Sequence, residues 1–389
     1  MCQIRRAYKR DNSTSATAKE WPLIVVHYSY VFDATWNIGM VHSLMQQPLE
    51  FQERVVIGAI ESHLHEEEMQ LMPPGWSSNG LNLHRRPRGL GFRIVALPYP
   101  VSVTESREYH STRNDSRALR HDPRPILVLF SGSLSRGRNT NTGRQGQGNR
   151  LRGVVVKAVQ RQGGICTADA CGICAAGQEA ACEALVLHQN AERTWMLAAH
   201  SVFCLEPPGD TLTRSHFYVA VLSGCVPVIF DGGDGSELYS ATRPTFWPWR
   251  LVPSDVSRHA HGHAQPAAPA SSLAARVGLD YATFTVAVNA SDVLGLSSTH
   301  VGGHASFMAR LVAMPTDEPA TLARLQRGVD DAAPAFVYAP SRVRPAPSRD
   351  DAFSRFFSLV TSPAIMHDEP HHLESGHRRR HKLPPWRAG

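Results

Sequence analysis

The chain has 389 residues, of which 42% are hydrophobic and 19% charged, with a formal net charge of +6. This length and apolar content predict a globular protein with two cores of ordinary size. The positive charge comes largely from local arginine-rich loops and from residues 377 to 382, so nucleic-acid binding is not predicted.

The first third of the chain shows strand and helix patterns in patches. Residues 1 to 20 are charged and polar without periodicity, so we expect them to be disordered. Residues 23 to 30 and 92 to 97 each predict a strand, and the apolar spacing in residues 53 to 65 predicts a short helix. The polar stretch from 104 to 124 predicts a connection between domains.

A second block begins with the apolar strand at residues 126 to 130, which runs into Ser131 and Gly132. A turn of small residues after a strand lets backbone N–H groups approach a phosphate, and Arg136 adds a donor for charge-assisted hydrogen bonds. The Gly, Asn, Arg and Gln residues up to 149 predict a flexible insertion, and a helix is expected from Leu151.

Four of the seven cysteines lie close together, at Cys166, Cys171, Cys174 and Cys182. The Cys171-Gly-Ile-Cys174 spacing suits one half of a tetrahedral zinc site, but no second pair of this spacing follows. An even set of neighbouring cysteines favours one or two disulfides in an oxidising compartment. Free thiols remain a further alternative.

Residues 201 to 230 (SVFCLEPPGDTLTRSHFYVAVLSGCVPVIF) predict a strand, a loop, a short amphipathic helix and a second strand. The apolar runs at both ends do not alternate, which is typical of strands covered on both faces of a parallel sheet. Thr211 or Thr213 is suited to cap the helix, and Gly224 predicts its end, where a left-handed residue is needed.

The junction between this loop and helix is a predicted anion site. Free N–H groups at a helix N-terminus attract a diphosphate. Arg214 lies in the expected first turn, where a cation opposes the helix dipole unless an anion binds beside it. An ordinary strand-helix-strand crossover with a surface arginine is the alternative.

Strand and helix patterns return after a His-, Ala-, Pro- and Ser-rich stretch. Residues 279 to 288 predict a strand, and residues 307 to 314 and 319 to 329 predict helices. Residues 350 to 359 carry three phenylalanines on one face and predict a C-terminal packing helix.

The run FCLEPPGDTLTR followed by GCVPVIF resembles the signature of the exostosin-type glycosyltransferases. The double proline before GDT-x-TR is most similar to the plant and algal xyloglucan galactosyltransferase branch. Gly132 and Arg136 resemble the strand end and basic residue of the same family, and Leu151-Arg152 resembles the pair that opens its next helix.

The resemblance implies an α/β protein of the GT-B-like class, with two Rossmann-like domains facing a cleft and a partial N-terminal domain. Residues 21 to 120 are expected to form the acceptor-side domain, and residues 121 to 365 the nucleotide-sugar-binding domain. Insertions are expected near 137 to 149 and 257 to 275, and residues 366 to 389 are expected to form a disordered basic tail.

The implied function is inverting transfer of a sugar, galactose by the branch resemblance, from a UDP-sugar to a polysaccharide or glycoprotein glycan. The residues expected to bind the UDP-sugar donor are Gly132, Arg136, Gly209, Thr211, Thr213, Arg214 and Gly224. Helix N-termini and arginine replace a metal ion in this scheme, and no tightly bound cofactor is expected. Asp210 and Glu206 are the candidate catalytic carboxylates, with Glu61, Glu66 and Asp122 as alternative bases.

Two positions depart from the family pattern. Most members carry an acidic residue where this chain has Val219, and many have arginine where it has His216. Because valine cannot hold ribose hydroxyls, an inactive, glycan-binding or scaffold partner of an active transferase is the alternative function.

The resemblance also implies a Golgi protein, with possible association between this chain and other Golgi glycosyltransferases. Members of the family are usually anchored by an N-terminal helix. No stretch of this chain approaches the roughly 20 apolar residues that cross a membrane, so we expect that the anchor is not part of it.

Overall fold

The computed structural model describes the chain in segments. They are residues 23–27, 51, 55–59, 93–99, 124–132, 145–187, 194–207, 214–231, 248, 278–295, 303–338 and 351–360. The expected disordered ends at 1 to 20 and 366 to 389, and the expected insertion at 257 to 275, lie outside these segments. No helix in the described segments is long and apolar enough to cross a membrane.

A parallel sheet of three strands forms in the N-terminal part, in the order β1, β2, β3. The strands are β1 (Leu23–His27), β2 (Val55–Ala59) and β3 (Arg93–Ala96). The prediction of a helix over residues 53 to 65 is therefore wrong, because Val55–Ala59 within this range form strand β2. Val55, Val56 and Ile57 are three consecutive β-branched residues, which favour a strand between two partners over a helix.

A second sheet has six strands in the order β5, β6, β4, β7, β8, β9. They are β4 (Ile126–Ser131), β5 (Ile165–Cys166), β6 (Ala170–Cys174), β7 (Ser201–Glu206), β8 (Val226–Asp231) and β9 (Val286–Asn289). Strands β4, β7, β8 and β9 are parallel, and β5 and β6 form an antiparallel edge beside β4. Every residue of β4 is buried, as its unbroken apolar run predicts.

Eight α-helices complete the described part of the chain. They are α1 (Gln145–Arg161), α2 (Glu179–Leu187), α3 (Thr194–Ala199), α4 (Ser215–Leu222), α5 (Ala290–Leu294), α6 (Gly303–Asp317), α7 (Pro319–Ala332) and α8 (Ala352–Val360). The helices predicted for α6, α7 and α8 are confirmed. Helix α1 begins at Gln145, inside the stretch predicted to be a flexible insertion, so its first turns precede the apolar residues that marked it.

The strand predicted from residue 279 begins only at Val286. A 3-10 helix, Tyr281–Thr283, takes up the first part of the predicted strand. The Asp280 side chain caps this helix by accepting a hydrogen bond of 3.0 Å from the Ala282 N–H. A local side-chain bond of this kind offers the backbone an alternative to the sheet.

After its exposed first residue, helix α4 is buried on all sides rather than amphipathic. Each residue from 216 to 222 is buried, because β7 and β8 cover one side and α3 and α7 pack on others. A helix that is apolar all round belongs in a core, so the amphipathic prediction was wrong for α4.

The two sheets are joined by a shared hydrophobic core. Val56 and Leu97 of the N-terminal part belong to the same buried cluster as Phe130, Phe217 and Phe356. Two further contacts reinforce the junction: the ring centres of Tyr99 and Tyr218 are 5.6 Å apart, and the Tyr338 hydroxyl donates to the Pro98 carbonyl at 2.9 Å.

Three disulfides link the second sheet and its helices. Cys166 pairs with Cys171, and Cys174 pairs with Cys182. The disulfide prediction for this group is confirmed and the zinc alternative is wrong, because all four sulfurs are in disulfide bonds. A third disulfide, Cys204–Cys225, joins β7 to the turn between α4 and β8, and no spacing pattern predicted it.

Candidate functional site

The candidate site lies at the carboxyl ends of the parallel strands. Because β4, β7, β8 and β9 run in the same direction, their last residues meet at one edge of the sheet. Ser131, Glu206 and Asn289 end three of these strands. Open α/β sheets bind their ligands outside this edge. Helix α4 begins there, at Ser215.

Arg214 connects the start of α4 to the end of β4. It occupies the N-cap position without a side-chain cap bond, so the predicted capping by Thr211 or Thr213 is wrong. Its Nη2 atom donates to the Ser131 carbonyl at 2.9 Å, and its guanidinium lies 5.9 Å from the centre of the Phe130 ring. A cation is therefore fixed at a helix N-terminus, where the dipole disfavours it by about 0.3–1 kcal/mol.

Gly132 provides the space for this arginine. Its φ is 147°, and a β-carbon there would overlap with Arg214 Nη2, so a side chain at this position would displace the guanidinium. Its own N–H donates to the Asp169 carbonyl at 2.8 Å. Gly132 thus contributes room for Arg214, whereas the sequence predicted that its N–H would face a phosphate.

Glu206 and His216 form a buried pair beside Arg214. The Glu206 Oε1 and His216 Nδ1 atoms are 2.6 Å apart, and the two side chains are 2% and 8% exposed, respectively. Glu206 is the last residue of β7, and His216 lies in the first turn of α4. A contact this short between a carboxylate and an imidazole is a strong, charge-assisted hydrogen bond.

Three polar atoms at this edge are buried without a hydrogen-bond partner among the residues that the structure describes. They are Glu206 Oε2, Arg214 Nη1 and His216 Nε2. Leaving a buried polar atom unpaired costs about 1–3 kcal/mol, so such atoms rarely gather without a function. All three belong to residues on either side of the segment 208 to 213.

The remaining predicted site residues, the catalytic candidate Asp210 and the other donor-binding residues, fall into two groups. Arg136, Gly209, Asp210, Thr211 and Thr213 lie outside the described residues. Gly224, with a φ of 74°, ends α4 as predicted. That end lies about 12 Å from the N-terminus of this helix of eight residues, at the other edge of the sheet. The Gly224 carbonyl there accepts a hydrogen bond of 2.8 Å from Arg124 Nη1.

Val219 offers the site no polar atom. Its side chain is 7% exposed and packs in a second buried cluster with the Cys204–Cys225 disulfide, Ala220 and Trp195. The alternative bases Glu61, Glu66 and Asp122 lie outside the described residues. Within the segments given above, no three His, Cys, Asp or Glu side chains gather as a metal site.

Residues 59 to 298, more than half of the chain, match the family model described as the Exostosin GT47 domain. The chain belongs to the exostosin GT47 family. This confirms the resemblance drawn from the 201 to 230 motif. The edge that holds Gly132, Glu206, Arg214 and His216 lies within the matched residues.

The family relatives include plant proteins of the xyloglucan branch. The chain is 27% identical to Probable xyloglucan galactosyltransferase GT15 of Arabidopsis thaliana, over 37% of the chain and 26% of that protein. It is 30% identical to Probable xyloglucan galactosyltransferase GT19 of the same plant, over 42% of the chain and 32% of that protein. It is 28% identical to its Xyloglucan-specific galacturonosyltransferase 1, over 35% of the chain and 17% of that protein.

The aligned stretch therefore spans between a sixth and a third of these relatives. No solved structure matches the chain. The relatives support the family and its xyloglucan branch.

Proposed function

We propose that this protein is an inverting glycosyltransferase that moves a sugar from a UDP-sugar to a polysaccharide or glycoprotein glycan. Galactose is the proposed sugar, because relatives such as GT15 and GT19 are named as probable xyloglucan galactosyltransferases. The nucleotide diphosphate would bind at the N-terminus of α4, and the acceptor would approach from the side of the first sheet.

The observation that carries this proposal is the state of Arg214. Its Nη2 is held by Ser131 while its Nη1 is buried and unpaired within the described residues. A guanidinium that is fixed at one nitrogen and unpaired at the other is pre-organised to donate to an oxyanion. A diphosphate there would also reverse the dipole penalty, because anions are stabilised at a helix N-terminus.

Arg214 and the N-terminus of α4 would stabilise the leaving diphosphate. Negative charge grows on the UDP oxygens as the bond to the sugar breaks, and a fixed cation beside helix N–H groups needs no reorganisation to meet it. Glu206 is buried against His216, which suits binding better than removal of a proton from a bulky acceptor. We therefore assign the base to Asp210 or to a carboxylate of the N-terminal part.

The test is nucleotide binding by the purified protein. We expect UDP to raise the melting temperature of the wild type, since a ligand that binds only the folded state stabilises it. Arg214→Ala should weaken UDP binding by roughly tenfold or more, which corresponds to the loss of a charge-assisted hydrogen bond. Arg327→Ala is the matched control, because Arg327 is exposed on α7. The absence of any response to UDP at millimolar concentration would refute the proposal.

Gly132→Ala offers an independent test that leaves Arg214 in the sequence. The added methyl group would displace the guanidinium, so UDP binding should weaken although the arginine is present. Gly163→Ala is the control, since Gly163 also has a positive φ, of 76°, but a β-carbon there meets no atom within 4 Å. Equal UDP affinity in the two variants would contradict the role given to Gly132.

We propose further that transfer needs no divalent metal ion, since Arg214 and the helix N-terminus supply positive potential. A donor panel assay run with EDTA and with added Mg²⁺ or Mn²⁺ should give equal rates. Loss of activity in EDTA, restored by the metal, would contradict this part.

A catalytically inactive glycan-binding or scaffold partner is the second candidate. It is favoured by Val219, because valine has no carboxylate to hold a ribose and its side chain packs in a buried apolar cluster. Sugar transfer or donor hydrolysis by the isolated protein, measured across a panel of UDP-sugars, would exclude it.

The GT-B arrangement, Golgi residence and association with other Golgi transferases belong to the same proposal. The parallel first sheet and the parallel strands β4, β7, β8 and β9 of the second sheet support the GT-B arrangement, and the three disulfides among the described residues support an oxidising compartment.

A further inference from the structure

The Glu206–His216 pair has two atoms left over after its internal hydrogen bond. Glu206 Oε2 and His216 Nε2 are both buried without a partner in the described residues. The whole residues are 4% and 7% exposed, so water has little access to them. They belong to the strand end and the helix start that also hold Ser131 and Arg214 at the proposed donor site.

We propose that Glu206 and His216 form a hydroxyl-binding pair that recognises a sugar ring of the donor. This inference rests on the proposed function and specifies which residues read the donor's hydroxyl groups. Glu206 Oε2 accepts from one hydroxyl, and His216 Nε2 exchanges a hydrogen bond with the same or a neighbouring hydroxyl. The internal bond between Oε1 and Nδ1 holds both side chains in place for this contact.

The polarity of the two atoms favours a hydroxyl over a phosphate. A phosphate oxygen only accepts hydrogen bonds and carries negative charge, so it would leave Oε2 unpaired and repel it. A hydroxyl both donates and accepts, so it satisfies a carboxylate oxygen and either protonation state of an imidazole nitrogen. Arg214 Nη1, which only donates, suits the phosphate instead. The three unpaired atoms thus divide into a diphosphate contact and a hydroxyl contact.

Two sources of hydroxyl groups exist in a UDP-sugar, the ribose and the transferred sugar, and paired ligands distinguish them. The ribose arm compares the affinities of UDP and 2′,3′-dideoxy-UDP. The sugar arm compares UDP-galactose with its 2-deoxy, 3-deoxy, 4-deoxy and 6-deoxy analogues, each of which lacks one hydroxyl. We expect one of these pairs to differ by roughly tenfold or more in the wild type, since removal of a hydroxyl leaves a buried charged group unpaired.

In the variants Glu206→Gln and His216→Gln, the ratio of the two affinities within that ligand pair should be close to one. Both affinities are measured on the same variant, so a smaller folded fraction affects them alike and leaves their ratio unchanged. Ser215→Ala is the control on the same helical turn, because Ser215 is exposed, and it should keep the wild-type ratio.

Each outcome decides the inference. A ratio that collapses in both variants supports it and identifies the ring. Ratios near one in the wild type, or a wild-type ratio that persists in both variants, would overturn it and leave UDP binding intact. Failure of the wild type to bind any of the nucleotides would overturn the proposed function together with this inference.

Discussion

Two glycines inside helices show how strongly the surroundings of one residue decide the effect of a substitution. A β-carbon at Gly328 of α7 would overlap with the Thr283 carbonyl oxygen and lie 3.2 Å from Phe284 Cβ. A β-carbon at Gly153 of α1 meets nothing within 4 Å. The close approach of α7 to the 3-10 helix therefore depends on Gly328.

We expect Gly328→Ala to lower the free energy of unfolding by about 1–3 kcal/mol, as overpacking does. Gly153→Ala is the matched control and should raise the free energy of unfolding by about 0.5–1 kcal/mol, because alanine restricts the unfolded chain and favours the helix. Urea denaturation measures both. A gain in stability for Gly328→Ala would contradict the packing.

His200 gives a second prediction for a single residue. Burial, and then the neighbouring Arg124 charge, lower the pKa of His200 below its ordinary value of 6.5. The unfolded chain therefore binds this proton at a higher pH than the folded one. His200 thus contributes stability that is fully present above pH 6.5 and is lost as the pH falls through the lowered folded value.

Urea denaturation of the wild type and His200→Gln at pH 7.5, 6.5 and 5.5 measures this contribution. We expect the wild type to lose more stability than the variant between the two lower pH values. Equal losses in the two proteins would show that His200 titrates alike in the folded and unfolded states.

Among the elements, the unit of β7, α4 and β8 carries the site and is closed by its own disulfide. Cys204 lies two residues before Glu206, and Cys225 directly follows the glycine that ends α4. The disulfide therefore ties the strand that holds Glu206 to the helix that holds Arg214 and His216.

The double variant Cys204→Ala/Cys225→Ala should lose about 3 kcal/mol of stability, because it frees a loop with a sequence separation of 21 residues. Cys166→Ala/Cys171→Ala, with a separation of 5 residues, is the control and should lose about 2 kcal/mol. Urea denaturation under oxidising conditions compares them. A larger loss for the shorter loop would contradict this order.

At the scale of the whole molecule, α8, the last helix of the described residues, packs against the first sheet. Phe356 is 3% exposed and shares a core cluster with Val56 and Leu97. A β-carbon at Gly58 of β2 would lie 3.4 Å from its ring. Since one cluster spans both sheets, we expect the described elements to unfold in a single cooperative transition.

Phe356→Ala should lower the free energy of unfolding by about 3–5 kcal/mol, as the loss of a buried phenylalanine does. Phe51→Ala is the control, because Phe51 is 39% exposed, and it should change stability by less than about 0.5 kcal/mol. Calorimetry of the wild type and both variants measures this. Two separate transitions in the wild type would show that the sheets fold independently.

Much of the second sheet was predictable because its inner strands are unbroken apolar runs. The strand at residues 126 to 130 was predicted close to its observed bounds, and the strands predicted at the two ends of residues 201 to 230 are both present. Strand β2 was missed, since an apolar run of five or six residues fits the spacing of a helix as well as that of a strand.

The sequence by itself determined the family, the order of strand, helix and strand in residues 201 to 230, and Arg214 as a candidate anion contact. These are local properties of residue type and spacing. Tertiary structure alone decided that Arg214 reaches Ser131, 83 residues earlier, and that His216 meets Glu206, 10 residues earlier. Such pairings depend on which strand ends lie side by side, and strand order is set by packing between distant segments, which no local pattern encodes.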